Sequence, residues 1–121
     1  MILGVGVDLC EVSRMEGLLE VGGRLPRLFC PEEIAYALES RALAPQRLAS
    51  AWAAKEAFAK ATGLGILRAR LQVCLIREGG VPRLGLKGEA ARRCEEMGVR
   101  RIWLSVSHEG GLAVCFLVLE G

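Results

Sequence analysis

The chain has 121 residues, 52% of them hydrophobic, with a mean hydropathy of +0.34 and a formal net charge of +2. This is the length of one domain with a real core, and so small a charge does not by itself indicate a nucleic-acid partner. The apolar excess lies in Leu, Val and Ala, because aromatics make up only 5%, and it is more than a small monomer can hide, so an oligomer is expected.

No apolar run reaches the length of a membrane span, and the N-terminus lacks a signal-peptide layout. The expectation is a cytoplasmic protein with neither membrane nor nucleic acid as partner. Cys10, Cys30, Cys74, Cys94 and Cys115 show no C-x-x-C spacing and are odd in number. Zinc and a disulfide framework are therefore not expected, and reduced thiols are the simplest account.

The segment Ile2 to Cys10 alternates as a strand, with Leu3, Val5, Val7 and Leu9 on one face and Gly4, Gly6 and Asp8 on the other. Two glycines before Asp8 would leave open space beside its carboxylate for a ligand; otherwise the aspartate merely turns the chain into the next helix. That helix is short, from Glu11 to about Glu20, with Val12, Met15 and Leu19 at helical spacing and Arg14 off that seam. The segment from Val21 to Leu28 contains Gly22, Gly23 and Pro26 and reads as loop or broken helix. It adds Arg24 and Arg27 to Arg14, giving either an ordinary solvated surface or a patch for an acidic partner.

A second helix is predicted from Phe29 to about Ser40, with Cys30 in the N-cap region, Pro31 in the first turn and Glu32 and Glu33 favoured by the positive helix end. Ala44 and Pro45 are expected to break the chain before a central helix begins near Gln46. That helix is alanine-rich and ends at Gly63, where a left-handed residue belongs. Trp52, Glu56 and Lys60 follow at i, i+4 and share one side. The rest is almost wholly apolar, which implies burial on more than one face. Charges in such surroundings need partners; Glu56 and Lys60 could pair with each other, or could serve a site if a second carboxylate stands nearby.

Beyond Gly65 the pattern is β. Strands are expected over Leu71 to Arg77 and Val81 to Leu86, joined at Glu78-Gly79-Gly80, with Pro82 weakening the second. An amphipathic helix runs from Gly88 to Met97, its inward positions including Ala90, Ala91, Cys94 and Met97. A further strand, Arg101 to Ser107, turns at His108-Glu109-Gly110-Gly111 into a closing strand, Leu112 to Leu119, of continuous apolar character. The fold class is α+β, a largely antiparallel sheet packed with a long central helix. His108, the sole histidine, lies at a strand end where functional side chains often project, although a turn histidine commonly has no role.

Four segments resemble one family in order and over nearly the whole chain. Gly4-Val5-Gly6-Val7-Asp8-Leu9-Cys10-Glu11-Val12-Ser13-Arg14 resembles the G-x-D-x-x-E-x-x-R signature of the holo-[acyl-carrier-protein] synthases. Phe29 to Glu33 resembles their F-x-x-x-E segment, Trp52 to Gly65 their central helix, and Ser105-Val106-Ser107-His108 their S-x-S-H segment. The resemblance implies a 4'-phosphopantetheinyl transferase-like fold in a single domain, assembled as a homotrimer with sites between subunits. It implies transfer of the 4'-phosphopantetheine arm from coenzyme A to a serine of an apo acyl carrier protein, with magnesium as the required ion and adenosine 3',5'-bisphosphate as the product.

On this reading Asp8 and Glu56 bind the metal, Lys60 neutralises phosphate charge, and His108 binds coenzyme A phosphates. Two carboxylates with phosphate oxygens and waters are an ordinary magnesium environment. Arg14, Arg24 and Arg27 would meet the acidic carrier protein. The pattern departs at Ala51, where many relatives carry an arginine that helps hold coenzyme A; either Arg47, one turn earlier, replaces it or coenzyme A binds more weakly. A magnesium-dependent hydrolase of nucleoside diphosphate derivatives could use the same carboxylates and lysine, and a non-enzymatic module could use the arginines alone.

Overall fold

The computed structural model describes residues 1–21 and 23–121. A strand β1 (Ile2–Glu11) leads into helix α1 (Val12–Glu20), a single helical turn α2 (Leu25–Leu28), helix α3 (Pro31–Leu38) and the long helix α4 (Ala44–Thr62). After a short helix α5 (Ile66–Ala69) come the hairpin β2 (Val73–Glu78) and β3 (Val81–Leu86), helix α6 (Gly88–Met97), and the hairpin β4 (Arg101–Glu109) and β5 (Leu112–Glu120). The α+β expectation holds, but the strands form two antiparallel sheets: β1-β5-β4, and the separate hairpin β2-β3. Of the expected loop between Val21 and Leu28, Gly22 lies outside the described residues, and the rest includes the turn α2.

Three boundaries depart from the sequence reading. Pro45 does not break the chain before α4; it sits in the first turn, where its missing N–H is harmless. His108 and Glu109 belong to β4, and only Gly110 and Gly111, with φ of 58° and 78°, make the turn. The turn α5 comes before the strand that was expected to begin at Leu71. The end of α4 is as expected, with Gly63 left-handed at φ 77° and its N–H donating to the Ala59 carbonyl.

Helix α4 fills the centre. Leu48, Ala49, Ala53, Ala54, Ala57 and Phe58 are fully buried, facing the inner sides of β1 and β5 and the helices α1 and α3. The glycines of β1 serve this packing. A Cβ on Gly6 would strike the carbonyl oxygen of Ala57, and one on Gly4 would lie 2.5 Å from that of Ala61. The open space expected beside these glycines is therefore occupied by the helix backbone, and the glycines allow strand and helix to come together.

The register orders both faces of the sheet. Gly4, Gly6, Asp8 and Cys10 pair with Leu119, Leu117, Cys115 and Ala113 on the inner side. Val5, Val7 and Leu9 pair with Val118, Phe116 and Val114 on the outer side. A register shift between Ile2 and Gly4 turns Leu3 out of its expected face, so that it packs on the core. The closing strand is thus alternating in burial although continuous in composition: Ala113, Cys115, Leu117 and Leu119 are buried, while its other face lies outward with Val5, Val7 and Leu9.

The expectation of wholly reduced thiols is overturned. Cys30, the N-cap of α3, forms a disulfide with Cys74 on β2, with a Cα separation of 5.9 Å. Packing brings together two cysteines whose spacing in the sequence carried no motif. Cys10, Cys94 and Cys115 are free and buried, and burial pushes the Cys115 thiol up to about 12, so it is no thiolate nucleophile.

Candidate active site

Asp8 reaches its position because alternation along β1 points it inward, while β1 lies at an edge of the sheet and leaves room beyond it. Lys60 stands on the last turn of α4. Its Nζ donates to Asp8 Oδ1 at 2.9 Å and to the Val7 carbonyl at 3.1 Å, so the lysine caps the free edge of β1. The Lys60 side chain is 56% exposed and that of Asp8 17%. Glu56, one turn before Lys60, is half-buried, and it makes no ion pair with Lys60 among the described residues. Burial raises the pKa of Cys10 behind this site; the Arg14 charge opposes the rise, while Asp8 and Glu56 both add to it. The carboxylate that β1 brings to the helix is thus Asp8, through its contact with Lys60.

The donor chemistry limits which ion could fit. Among the described residues no group of three or more His, Cys, Asp or Glu could hold a metal. One carboxylate from a strand edge and one from the facing helix, with no His or Cys beside them in a ligand group, do not suit a tetrahedral zinc site. They suit a hard cation that takes one or two carboxylates and completes its shell with phosphate and water.

The other expected residues fall into two further groups. Arg47 and His108 line a small cavity of about 190 Å³ beside β4, together with Ser50 and Arg77. Arg47 is held there by Tyr36: its Nη1 donates to the Tyr36 carbonyl at 2.8 Å, and the guanidinium carbon lies 4.2 Å from the ring centroid. Ala51, where the resemblance leads one to expect arginine, is buried. Arg14, Arg24 and Arg27 are all exposed, on α1, at the N-cap of α2 and within α2. Arg70 joins Arg27 by donating from Nε to the Arg27 carbonyl at 2.7 Å, an addition that sequence spacing could not show.

One pair was missed altogether. Lys55 and Glu33 are completely buried, with Nζ 2.6 Å from Oε1. Glu33 Oε1 also accepts the Cys30 N–H at 2.8 Å, its Oε2 accepts the Leu75 N–H at 2.9 Å, and Lys55 donates to the Val73 carbonyl. Glu33 was expected merely to favour the helix end; it does accept the N-cap N–H, but its main partner is the lysine of α4. Burial raises the Glu33 pKa and lowers that of Lys55, outweighing the attraction and hydrogen bonds between them. The available signal was the position of Lys55 within the apolar surroundings of α4, between Ala51 and Phe58.

A sequence model of the 4'-phosphopantetheinyl transferase superfamily matches residues 4–115, and the chain belongs to that superfamily. Within it, the chain is an enzyme of the holo-[acyl-carrier-protein] synthase type. It is 41% identical to the holo-[acyl-carrier-protein] synthase of Treponema denticola over 123 residues, covering 100% of both chains. Its fold is similar to that of the Neisseria meningitidis enzyme of the same name, with a TM-score of 0.84, 31% identity and 100% of each chain covered. A holo-(acyl-carrier-protein) synthase from Bacillus anthracis, crystallised with coenzyme A, gives a TM-score of 0.78 at 28% identity, covering 98% of this chain and 96% of that one.

Proposed function

We propose that the chain transfers 4'-phosphopantetheine from coenzyme A to a serine hydroxyl of an apo acyl carrier protein. The observation that carries this reading is the Asp8–Lys60 contact at 2.9 Å on an open strand edge, with half-buried Glu56 one turn away. The serine oxygen forms a bond to the phosphorus nearer the pantetheine, and the bond from that phosphorus to the bridging oxygen breaks. Adenosine 3',5'-bisphosphate leaves with the bond electrons.

Asp8 and Glu56 would hold a magnesium ion, which when bound supplies positive charge to the pyrophosphate. Lys60, already fixed by the carboxylate of Asp8 and the carbonyl of Val7, places an ammonium where the leaving phosphate gains charge. The serine proton must pass to a group at the site, and the carboxylates are the available acceptors there. Arg14, Arg24 and Arg27 offer positive charge to an acidic carrier protein, which raises its encounter rate and sets its orientation.

The working unit is a homotrimer with each site shared between neighbours. Two observations support this. On the outer face of the sheet, Val5, Val7, Leu9, Trp103 and Phe116 are each about half exposed, an apolar patch of the kind that marks an interface. In addition, Asp8 and the His108 cavity lie toward opposite edges of one sheet. Asp8, Cys115 and Val106 form a row across β1, β5 and β4, so the two groups are about 10 Å apart across the sheet with α4 packed over it. One ligand could use both if the β4 edge came from an adjacent subunit, and cyclic symmetry would repeat this around a closed ring.

The test is intact-mass analysis of an apo acyl carrier protein incubated with the chain, coenzyme A and magnesium. A gain of one phosphopantetheine is the expected result. An unchanged carrier protein, with coenzyme A hydrolysed instead, would replace the reading with a hydrolase.

A further inference from the structure

We infer that Arg77 is a phosphate-binding residue, closing with Arg47 and His108 a pocket that holds a phosphate group of coenzyme A. The inference rests on the transferase reading above and assigns a residue to which no sequence motif pointed. Arg77 lies on β2, and its Nε is buried without a hydrogen-bond partner, the only such buried side-chain nitrogen or oxygen among the described residues. A buried donor on a charged group is costly to leave unmade, so its lack of a partner calls for an explanation.

The surroundings supply one. Arg77 lines the cavity of about 190 Å³ between α3, α4 and β4, with Arg47, His108, Ser50 and Gln46 on the other walls. Arg77 also borders a neighbouring groove with Glu32, Glu39 and Glu78, but none of the three forms an ion pair with it among the described residues. Glu78 pairs with Arg83 at 3.5 Å, and Glu39 meets Arg47 only at 3.8 Å, from a side chain that is 66% exposed. Both guanidinium groups are oriented around one ring, Arg47 at 4.2 Å and Arg77 at 5.8 Å from the Tyr36 centroid. Two like charges brought into one small polar cavity favour an anion there, and a guanidinium matches phosphate geometry better than any other side chain.

Ala51 contributes no charge from α4, because its methyl group is packed in the core. Arg77 brings a second guanidinium to the pocket from the other sheet, whereas Arg47 uses one of its donors on the Tyr36 carbonyl. Coenzyme A carries two sources of such an anion, its pyrophosphate and its terminal 3'-phosphate. The shared chemistry is a phosphate oxygen accepting from the Arg77 guanidinium where it lines the cavity.

The test measures binding and turnover separately in Arg77→Gln and Arg77→Lys. Calorimetric titration of the assembled protein with coenzyme A, without magnesium, should show affinity reduced about tenfold or more in Arg77→Gln, with partial recovery in Arg77→Lys. The KM for coenzyme A should rise in parallel while kcat stays within about twofold, as expected when ground state and transition state lose the same contact. Repeating the titration with 3'-dephospho-coenzyme A separates the sources. A wild-type preference for coenzyme A that vanishes in Arg77→Gln assigns the terminal phosphate, and an equal loss for both ligands assigns the pyrophosphate. Unchanged affinity for both ligands in a folded Arg77→Gln, or, where that variant does not fold, in Arg77→Lys, would overturn the inference. If wild type fails to modify the carrier protein in the mass assay, the transferase reading falls instead.

Discussion

Helix α4 carries two lysines that each reach a carboxylate on another element, yet the two pairs have opposite characters. Lys55 and Glu33 are sealed, at 0% and 1% exposure, with Cys30, Val73 and Leu75 completing the hydrogen bonds. Lys60 and Asp8, at 56% and 17%, meet on a strand edge, where the lysine is open to solvent and shares only the Val7 carbonyl besides. A sealed pair has no access to substrate, and its desolvation makes it expensive to break. An open pair adds little to stability, so its charges are free to interact with a ligand. Less than two turns of helix therefore separate a structural fastening from the proposed site.

The comparison is broken most severely at the sealed pair. Replacing Lys55 by Met should cost about 3–5 kcal/mol in urea unfolding, because Glu33 would remain buried and unpaired. Adding Glu33→Gln in the same chain should recover part of that loss. If Lys55→Met unfolded like wild type, the pair would not be the fastening described. At the open pair the expected effects are reversed. Asp8→Asn and Glu56→Gln should each lower kcat by roughly 10²–10³, a transition-state loss of about 3–4 kcal/mol, while changing stability by less than about 1 kcal/mol. Near-normal turnover in both, across magnesium concentrations, would remove these carboxylates from the site.

The next effect separates assembly from folding. Phe116→Glu places a charge at the centre of the exposed sheet face and should dissociate the proposed trimer, with activity lost in proportion to the monomer fraction seen in sedimentation equilibrium. The sealed pair should be untouched, so secondary structure should persist. Full specific activity in a monomer would show that one subunit suffices. The smallest effect belongs to the arginines. Arg14→Glu should weaken carrier-protein binding by about tenfold, through slower association that is itself salt-dependent in wild type, and should leave coenzyme A affinity unchanged. Identical carrier-protein affinity in both proteins, flat with salt, would rule out docking through this helix.

How far the sequence reaches can be judged from these same residues. Gly63 and Gly98 end their helices where expected, and Gly79-Gly80 and Gly110-Gly111 turn the hairpins, because such positions need positive φ and glycine supplies it without a neighbour's help. Asp8, Glu56 and Lys60 were legible as site candidates, since charged groups on largely apolar elements are conspicuous, and the family resemblance joined them. Partner choice was not legible. Glu56 and Lys60 share a helix side, yet Lys60 turns to Asp8, 52 residues away, because β1 is held against α4 by glycines that let the backbones touch. Glu33 read as a helix-end acid until packing placed it beside Lys55, and Cys30 and Cys74 joined across a separation of 44 residues for the same reason. Local backbone preference is written in adjacent residues, so the sequence alone determined the main strands and helices, the glycine-marked ends and the family, while the short turns α2 and α5 and the start of α4 at Ala44 were set by packing. Which charge is sealed, which is left open and which edge each functional group occupies depend on contacts between distant segments, and those only close packing of the tertiary structure decided.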